Sequence, residues 1–403
     1  MALSRAWNGR AGWRCDRDRD GPEEGAVKIT RLESRIVEIP VKSPYVYSHG
    51  VLNAFRNVLV WIHTDEGVVG TGEASFIPGG GVSEETPEST KPMIDRYLGP
   101  ELIGEDPFDI ERIHHKLDAA VPRNLVAKSG IDLALWDVMG KALDTPTCKL
   151  LGGVYDPKIL CTYTLSIDTP EKMAEHALLR RRQGYKTLVV KIGREPQGDI
   201  ERLRLVREVV GDDVNIRLDA NEAYWPDQAI QIIRKMEKYN PEFVEEPVKR
   251  WDLDGMAKVA QAVDTPISSD ESNTSVDTVM RIIQKRAADI INIKISKNGG
   301  LYRSKKIAAL AEAAGIPCIV GGANTYEVGR QACRHFAVST AQAQMGMGSE
   351  GCAPASQSKV DDVTTQLLTY EDVTAGNGYV EVIPGPGLGV ELDEDKVRKY
   401  TVA

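Results

Sequence analysis

Two regions of the chain carry different patterns of hydrophobic and polar residues. From Lys28 to Glu73 apolar and polar residues alternate, and Asp65–Gly67 separates two alternating runs in a way typical of a hairpin. Three stretches with helical periodicity follow, over residues 85–98, 107–119 and 124–143. The pattern predicts an α+β domain over residues 27–150, followed by a linker that contains the helix-breaking Gly152.

Beyond this point short apolar runs alternate with helical stretches, as in parallel strands covered by helices. The runs centre on Val190, Leu218, Val244, Ile267, Ile293, Val320 and Met345. With a first run from Cys161 they predict an α/β fold, a TIM-like (β/α)7β barrel over residues 151–360. We expect the C-terminal segment, 361–403, to return and complete the N-terminal capping domain. A doubly wound open sheet is the alternative, but no G-x-G-x-x-G motif joins a strand to a helix.

Charge and cysteine content narrow the class of protein. The 403 residues include 50 Lys and Arg against 59 Asp and Glu, a net charge of −9, so nucleic acid is not an expected partner. No apolar run approaches the roughly 18 residues that span a membrane. Six cysteines without metal or disulfide spacing indicate a cytoplasmic location. Residues 1–26 lack the apolar stretch of a secretion signal, and we expect a disordered tail there.

Charged residues stand where the apolar runs end, which is the active-site end of the strands in a barrel. They are Lys191, Asp219, Glu245, Asp270 and Lys294, at successive spacings of 24 to 28 residues. A single acidic residue after an apolar run is more often a helix N-cap than a metal ligand. Five charged residues in register, about one βα unit apart, favour a catalytic site instead.

The composition of this set indicates a chemistry. Asp219, Glu245 and Asp270 would repel one another without a cation, and carboxylate oxygens suit Mg²⁺, or alternatively Mn²⁺. Lys191 and Lys294 flank the carboxylates, and a nearby cation in a dry cavity would lower their pKa values toward those of general bases. The set predicts abstraction of the proton α to the carboxylate of a small substrate, from either face.

Five short motifs resemble those of the enolase superfamily, most closely its muconate lactonizing enzyme subgroup, over residues 28–390. They are Lys191-Ile-Gly193, Asp219-Ala-Asn221, Glu245-Glu-Pro247, Asp270-Glu-Ser272 and Asn292-Ile-Lys294 followed by Gly299-Gly300. The resemblance implies Mg²⁺ on the three carboxylates, acid–base roles for both lysines and a homo-oligomer. It also implies that Glu350 faces the substrate, and that Asn221 and Glu271 lie behind the metal ligands.

Two departures from the subgroup's pattern matter. Val189 replaces the first lysine of the usual K-x-K, so support for Lys191 must come from elsewhere. The seventh strand ends at Gly321 and Gly322 without a histidine, which argues against a His–Asp base and against dehydratases that need one. In the cap, we expect Tyr47 and His49 to contact the distal part of a substrate.

These features predict a metal-dependent isomerase, either a racemase or epimerase or a muconate-type cycloisomerase. A dehydratase on the same scaffold is the alternative within enzymes. The other alternative is a non-catalytic binding protein that kept the barrel, but loss of function would be expected to remove some of the five charged residues.

Overall fold

The computed structural model describes residues 27–47, 50–77, 84–348, 361–365 and 378–402 of the chain. Its N-terminal part contains a three-stranded antiparallel sheet, in the order β1-β2-β3. The strands are β1 (Ile29–Tyr47), β2 (Gly50–Thr64) and β3 (Val69–Ala74). The predicted hairpin is confirmed at its turn, where Gly67, with φ +78°, lies between β2 and β3.

Four helices accompany this sheet: α1 (Pro87–Met93), α2 (Ile110–Ala120), α3 (Leu125–Ala142) and α4 (Thr147–Leu150). Helix α3 is buried over most of its length, as expected for a helix with apolar residues on all sides. A Cβ atom on Gly72 of β3 would lie 2.0 Å from the Gly130 carbonyl oxygen of α3. Glycine at this position therefore permits the close packing of helix and sheet.

A seven-stranded parallel sheet, in the order β11-β10-β9-β8-β7-β6-β5, forms the barrel. Its strands are β5 (Thr162–Leu165), β6 (Thr187–Lys191), β7 (Asn215–Asp219), β8 (Phe243–Glu245), β9 (Ile267–Ser269), β10 (Ile290–Ile293) and β11 (Cys318–Val320). Met347 forms parallel bridges to Val320 at one edge and to Cys161 beside the other. The eighth strand position thus closes the ring.

Seven helices connect and cover the strands. They are α5 (Pro170–Arg182), α6 (Pro196–Val210), α7 (Pro226–Met236), α8 (Leu253–Ala262), α9 (Val276–Lys285), α10 (Leu301–Ala313) and α11 (Glu327–Val338). Three of them begin with proline, whose fixed φ suits the first helical position. Among the described residues, no helix is both long and apolar enough to cross a membrane.

The C-terminal segment returns to the N-terminal domain, as predicted. Strand β12 (Tyr379–Val380) pairs with β4 (Ile159–Leu160), and helix α12 (Glu394–Tyr400) follows. Thr401 then bridges to Val37 of β1. The predicted fold, an α/β barrel with a cap that the C-terminal segment completes, is confirmed, whereas the exact domain boundaries stay a prediction.

Two buried carboxylates of the cap meet the first turns of barrel helices. Asp132 of α3 accepts hydrogen bonds from the backbone N–H groups of Leu301, at 2.5 Å, and Tyr302, at 3.4 Å, where α10 begins. Glu73 of β3 accepts from Tyr326 and Gly329, both at 2.9 Å, at the start of α11. These hydrogen bonds satisfy backbone N–H groups that have no acceptor within their own helices, and they hold the cap over the carboxyl ends of the barrel strands.

Candidate active site

The five charged residues singled out in the sequence lie at one end of the barrel. Lys191, Asp219 and Glu245 are the last residues of β6, β7 and β8 and stand side by side in register. Asp270 directly follows β9, and Lys294 directly follows β10. The regular βα spacing in the sequence therefore brings all five to one level, under the cap.

The two lysines contact opposite ends of the row of carboxylates. Lys191 Nζ donates a short hydrogen bond to Asp219 and another, of 2.7 Å, to Asn221 Oδ1. Lys294 Nζ donates to Asp270 Oδ2. Glu245 lies between them in the strand order and accepts a hydrogen bond of 2.9 Å from Asn292 Nδ2.

Burial and mutual repulsion dominate the electrostatics of the carboxylates. Burial, with the charges of Asp219 and Asp270, raises the pKa of Glu245 well above its usual range. Burial acts in the same direction on Asp270, but the ammonium groups of Lys294 and Lys297 hold its pKa well below the usual range. Of these two carboxylates, Glu245 is the one whose charge the protein's own groups stabilise less.

The pKa of Lys294 moves in the direction opposite to the expected one. Burial alone would lower this pKa, yet the charges of Asp270, Glu271 and Glu245 raise it above its usual value. The sequence-based expectation of a lowered lysine pKa included the effect of a bound cation. The protein's own carboxylates raise the pKa of Lys294 instead.

The donor set fits a hard divalent cation. It offers carboxylate oxygens without sulfur or imidazole, and these favour Mg²⁺. Two buried oxygens, Glu271 Oε2 and Asn292 Oδ1, have no hydrogen-bond donor among the described residues. Within that part of the chain, no three acidic, histidine or cysteine side chains are already arranged around a metal position. The carboxylates of Asp219 and Asp270 would have to exchange their ammonium partners for the cation.

The two residues expected behind the three carboxylates, Asn221 and Glu271, are bonded to each other and to the site. Asn221 Nδ2 donates a hydrogen bond of 2.9 Å to Glu271 Oε1, so Asn221 links Lys191 to Glu271. Asn221 has a φ of +42°, a left-handed conformation that asparagine tolerates better than most residues. Glu350 and His49 lie outside the described residues, and so does the side chain of Tyr47.

Sequence reasoning missed two buried residues around Asp270. Lys297 Nζ donates to the backbone oxygen of Asp270 and, at 2.9 Å, to its Oδ1. Glu246 Oε2 accepts from the Asp270 backbone N–H at 2.6 Å. Glu246 is fully buried and lies well before helix α8, which begins at Leu253, so it is not a helix cap. Burial raises its pKa to about 7.

Gly321, at the end of the seventh strand, makes room for protein side chains. A Cβ atom there would lie 2.3 Å from Asn292 Oδ1 and 2.7 Å from Lys294 Cγ. The lack of a side chain at Gly321 therefore accommodates Asn292 and Lys294.

Two family models match most of the chain. Residues 31–152 match the mandelate racemase / muconate lactonizing enzyme N-terminal domain, and residues 172–396 match the enolase C-terminal domain-like family. The two matched ranges correspond to the cap and to the barrel with its C-terminal segment.

Several characterised proteins are similar over nearly the whole chain. The N-succinyl-L-Arg/Lys racemase of Bacillus cereus is 35% identical over 93% of this chain and 98% of its own, and its crystal structure gives a TM-score of 0.87. A chloromuconate cycloisomerase of Delftia acidovorans is 33% identical over 94% of this chain and all of its own. The structure of an Enterococcus faecalis dipeptide epimerase, complexed with Mg and L-Leu-L-Tyr, is 33% identical over 90% of this chain and 99% of its own, with a TM-score of 0.83.

Proposed function

The chain belongs to the mandelate racemase / muconate lactonizing enzyme family of the enolase superfamily, and we propose on this premise that it is a racemase or epimerase. Its relatives named above are isomerases, which supports the same reaction class here. We propose a small carboxylate substrate, an N-acylated amino acid or a dipeptide, that changes configuration at its α-carbon.

One observation carries this proposal: Lys191 and Lys294 contact opposite ends of the same row of three carboxylates. A base on each face of the α-carbon is what inversion of configuration requires. The lysine that faces the α-proton removes it as a neutral amine, and the other lysine, as an ammonium, delivers a proton to the opposite face. One C–H bond breaks and one forms, so substrate and product differ only in configuration.

The carboxylates have a separate role in this proposal. Asp219, Glu245 and Asp270 would hold Mg²⁺, which when bound stabilises the negative charge that develops on the substrate carboxylate. Asn292 and Asn221 orient two of the groups involved, through hydrogen bonds to Glu245 and Lys191. The overlying cap restricts water at the site, which strengthens every charge interaction there.

Cycloisomerisation is the second candidate, because a cycloisomerase aligns along 94% of the chain. The same lysines would then serve as one acid and one stabilising charge. A homo-oligomeric assembly and a cytoplasmic location stay predictions.

The test is α-proton exchange in D₂O with Mg²⁺, followed by NMR. The panel contains both enantiomers of N-succinyl-arginine and both epimers of Ala-Glu, together with cis,cis-muconate and a β-hydroxy amino acid. We expect exchange and inversion with at least one N-acylated amino acid or dipeptide. Lys191→Met should abolish exchange from one stereoisomer and Lys294→Met exchange from the other, because each lysine serves one face.

Lys305→Met is the matched control, since Lys305 lies on α10 and donates to the backbone oxygen of Ser339. It should leave both exchange rates unchanged. A lactone product from muconate would favour the cycloisomerase, and loss of water from the hydroxy amino acid would favour a dehydratase. Exchange that persists in both lysine variants would contradict the proposed roles.

A further inference from the structure

The segment that carries Lys191 is held by a neighbouring helix as well as by the site itself. Immediately after the lysine, the Ile192 backbone N–H donates to the backbone carbonyl oxygen of Asp219 at 2.9 Å. The next N–H group, that of Gly193, donates to Asp199 Oδ2 at 3.0 Å. Asp199 lies in the first turn of α6 and is fully buried.

Both carboxylate oxygens of Asp199 bind groups from neighbouring segments. Oδ2 also accepts a hydrogen bond of 2.8 Å from the Tyr224 hydroxyl, which lies after β7. Oδ1 accepts from Arg202 Nη1 at 2.7 Å, and Arg202 Nε donates to the backbone oxygen of Asp168, after β5, at 2.9 Å. One buried carboxylate thus connects the segments that follow three consecutive strands.

Packing leaves the Lys191 segment little freedom against the segment after β7. Gly193 has a φ of +110°, and a Cβ atom there would lie 2.5 Å from Ala223 Cβ and 2.9 Å from the Ala220 oxygen. Tyr224 is 2% exposed, and burial together with the charge of Asp199 raises the pKa of its hydroxyl. The hydroxyl therefore stays protonated and keeps donating to Asp199.

We propose that Asp199 and Tyr224 are positioning residues for Lys191, which has Val189, and not a second lysine, two positions before it. This inference rests on the proposed acid–base role of Lys191. Neither residue is expected to touch the substrate: they act by fixing the backbone two residues beyond the lysine.

The geometry gives the proposal a selective consequence. Lys294 is held by other groups, since its backbone N–H donates to Asn298 Oδ1 at 2.9 Å and its amine to Asp270. Weakening the Asp199–Tyr224 contact should displace Lys191 and leave Lys294 in place. Only the proton transfer on the Lys191 face should then slow.

The experiment measures α-deuterium exchange separately for the two enantiomers of N-succinyl-arginine, or for the two stereoisomers of the panel compound that exchanges fastest. The relevant stereoisomer is the one whose exchange is abolished in Lys191→Met. For this stereoisomer Tyr224→Phe should lower kcat by about tenfold with little change in KM, as for other residues that orient a catalytic group. The rate for the other stereoisomer should stay within about twofold. Asp199→Asn should give the same asymmetry.

Tyr326→Phe is the matched control, because Tyr326 is also a buried tyrosine whose hydroxyl donates to backbone oxygens, those of Val37 and Phe55. It should lower the unfolding temperature without changing the ratio of the two exchange rates. An unchanged ratio in Tyr224→Phe, or an equal fall of both rates, would overturn the inference alone. Absence of any lysine-dependent exchange in the wild-type protein would instead overturn the proposed function on which it rests.

Discussion

At the scale of single residues, the site depends on a glycine as well as on its charged side chains. Gly321 is the clearest case, because the space of its absent Cβ is filled by Asn292 and Lys294. Alanine adds only one carbon, but the two contacts of 2.3 and 2.7 Å are too close for a Cβ atom to be tolerated. The added atom must therefore displace one of these side chains.

Gly321→Ala is expected to lower exchange on the Lys294 face by at least about tenfold, because displacement of a catalytic group by about 1 Å costs up to 100-fold in rate. The Lys191 face should be less affected. The measurement is the same stereoisomer-resolved exchange. Gly67→Ala, in the exposed hairpin turn, controls for a general loss of stability. Equal rates in Gly321→Ala and wild-type protein would show that the pocket relaxes around the methyl group.

The sequence revealed residues whose positions follow a repeat and missed those defined by three-dimensional contacts. Lys191 and Asp219 were recognisable because each ends an apolar run. Asp199 lies within a helical stretch, and Lys297 lies in a turn, so neither position carries a periodic signal. Glu246 directly follows Glu245, the last residue of β8, so strand alternation does not predict the direction of its side chain.

At the scale of elements, one of the two carboxylates that join the cap to the barrel, that of Glu73, has a raised pKa. Glu73 is fully buried, and burial raises its pKa from 4.5 to about 7, against the opposing effect of the N–H groups of Tyr326 and Gly329. The folded state holds the Glu73 proton more tightly than the unfolded chain does, and this tighter binding stabilises the fold. The stabilisation is complete below about pH 4.5 and is lost as the pH rises through 7.

We expect the free energy of unfolding of the wild-type protein, relative to Glu73→Gln, to fall by about 2 to 3 kcal/mol between pH 5 and pH 8. The glutamine variant has no proton to lose at this position, so the difference isolates Glu73. Urea unfolding at several pH values measures it. A difference independent of pH would mean that Glu73 has an ordinary pKa in the folded state.

Helices were easier to predict from the sequence than their connections. Helix α9 has a clear start, since Ser275 and Thr278 form a capping box before an apolar stripe. Helix α3 was predicted to within one residue at each end. Its burial on nearly every side, between the sheet and the barrel, depends on the tertiary packing and could not be inferred from its limits.

At the scale of the whole molecule, cation binding should be visible as stability. Three carboxylates in one buried site repel one another, and Mg²⁺ that binds only the folded state would relieve this repulsion. At 100 times its Kd, Mg²⁺ should raise the free energy of unfolding by about 2.7 kcal/mol. Thermal unfolding with Mg²⁺ and with EDTA measures the effect.

Glu245→Gln should remove most of this metal-dependent stabilisation. It should also raise the stability of the metal-free protein, because Glu245 is buried beside Asp219 and Asp270 and its charge is unfavourable there. Glu312→Gln, on the exposed side of α10, serves as the carboxylate-to-amide control and should keep the full response to Mg²⁺. An identical Mg²⁺ response in Glu245→Gln and wild-type protein would contradict a site at these carboxylates.

The overall architecture could be predicted from two patterns in the sequence: alternating apolar and polar residues in the N-terminal part, and repeated strand–helix units after it. The way its two parts join did not, because Asp132 and Leu301 are 169 residues apart and nothing local marks their contact.

The contacts of Asp132 and Glu73 with α10 and α11 bear on how this protein could be recombined with its relatives. A chimera that joins this barrel to a foreign cap leaves the first turns of both helices without their acceptors, unless the donor cap carries acidic side chains at the two equivalent positions. The choice of a cap for specificity is therefore also a choice of stability. A compatible cap should therefore be selected by whether it carries an acidic residue at each of these two positions, rather than by its overall sequence identity.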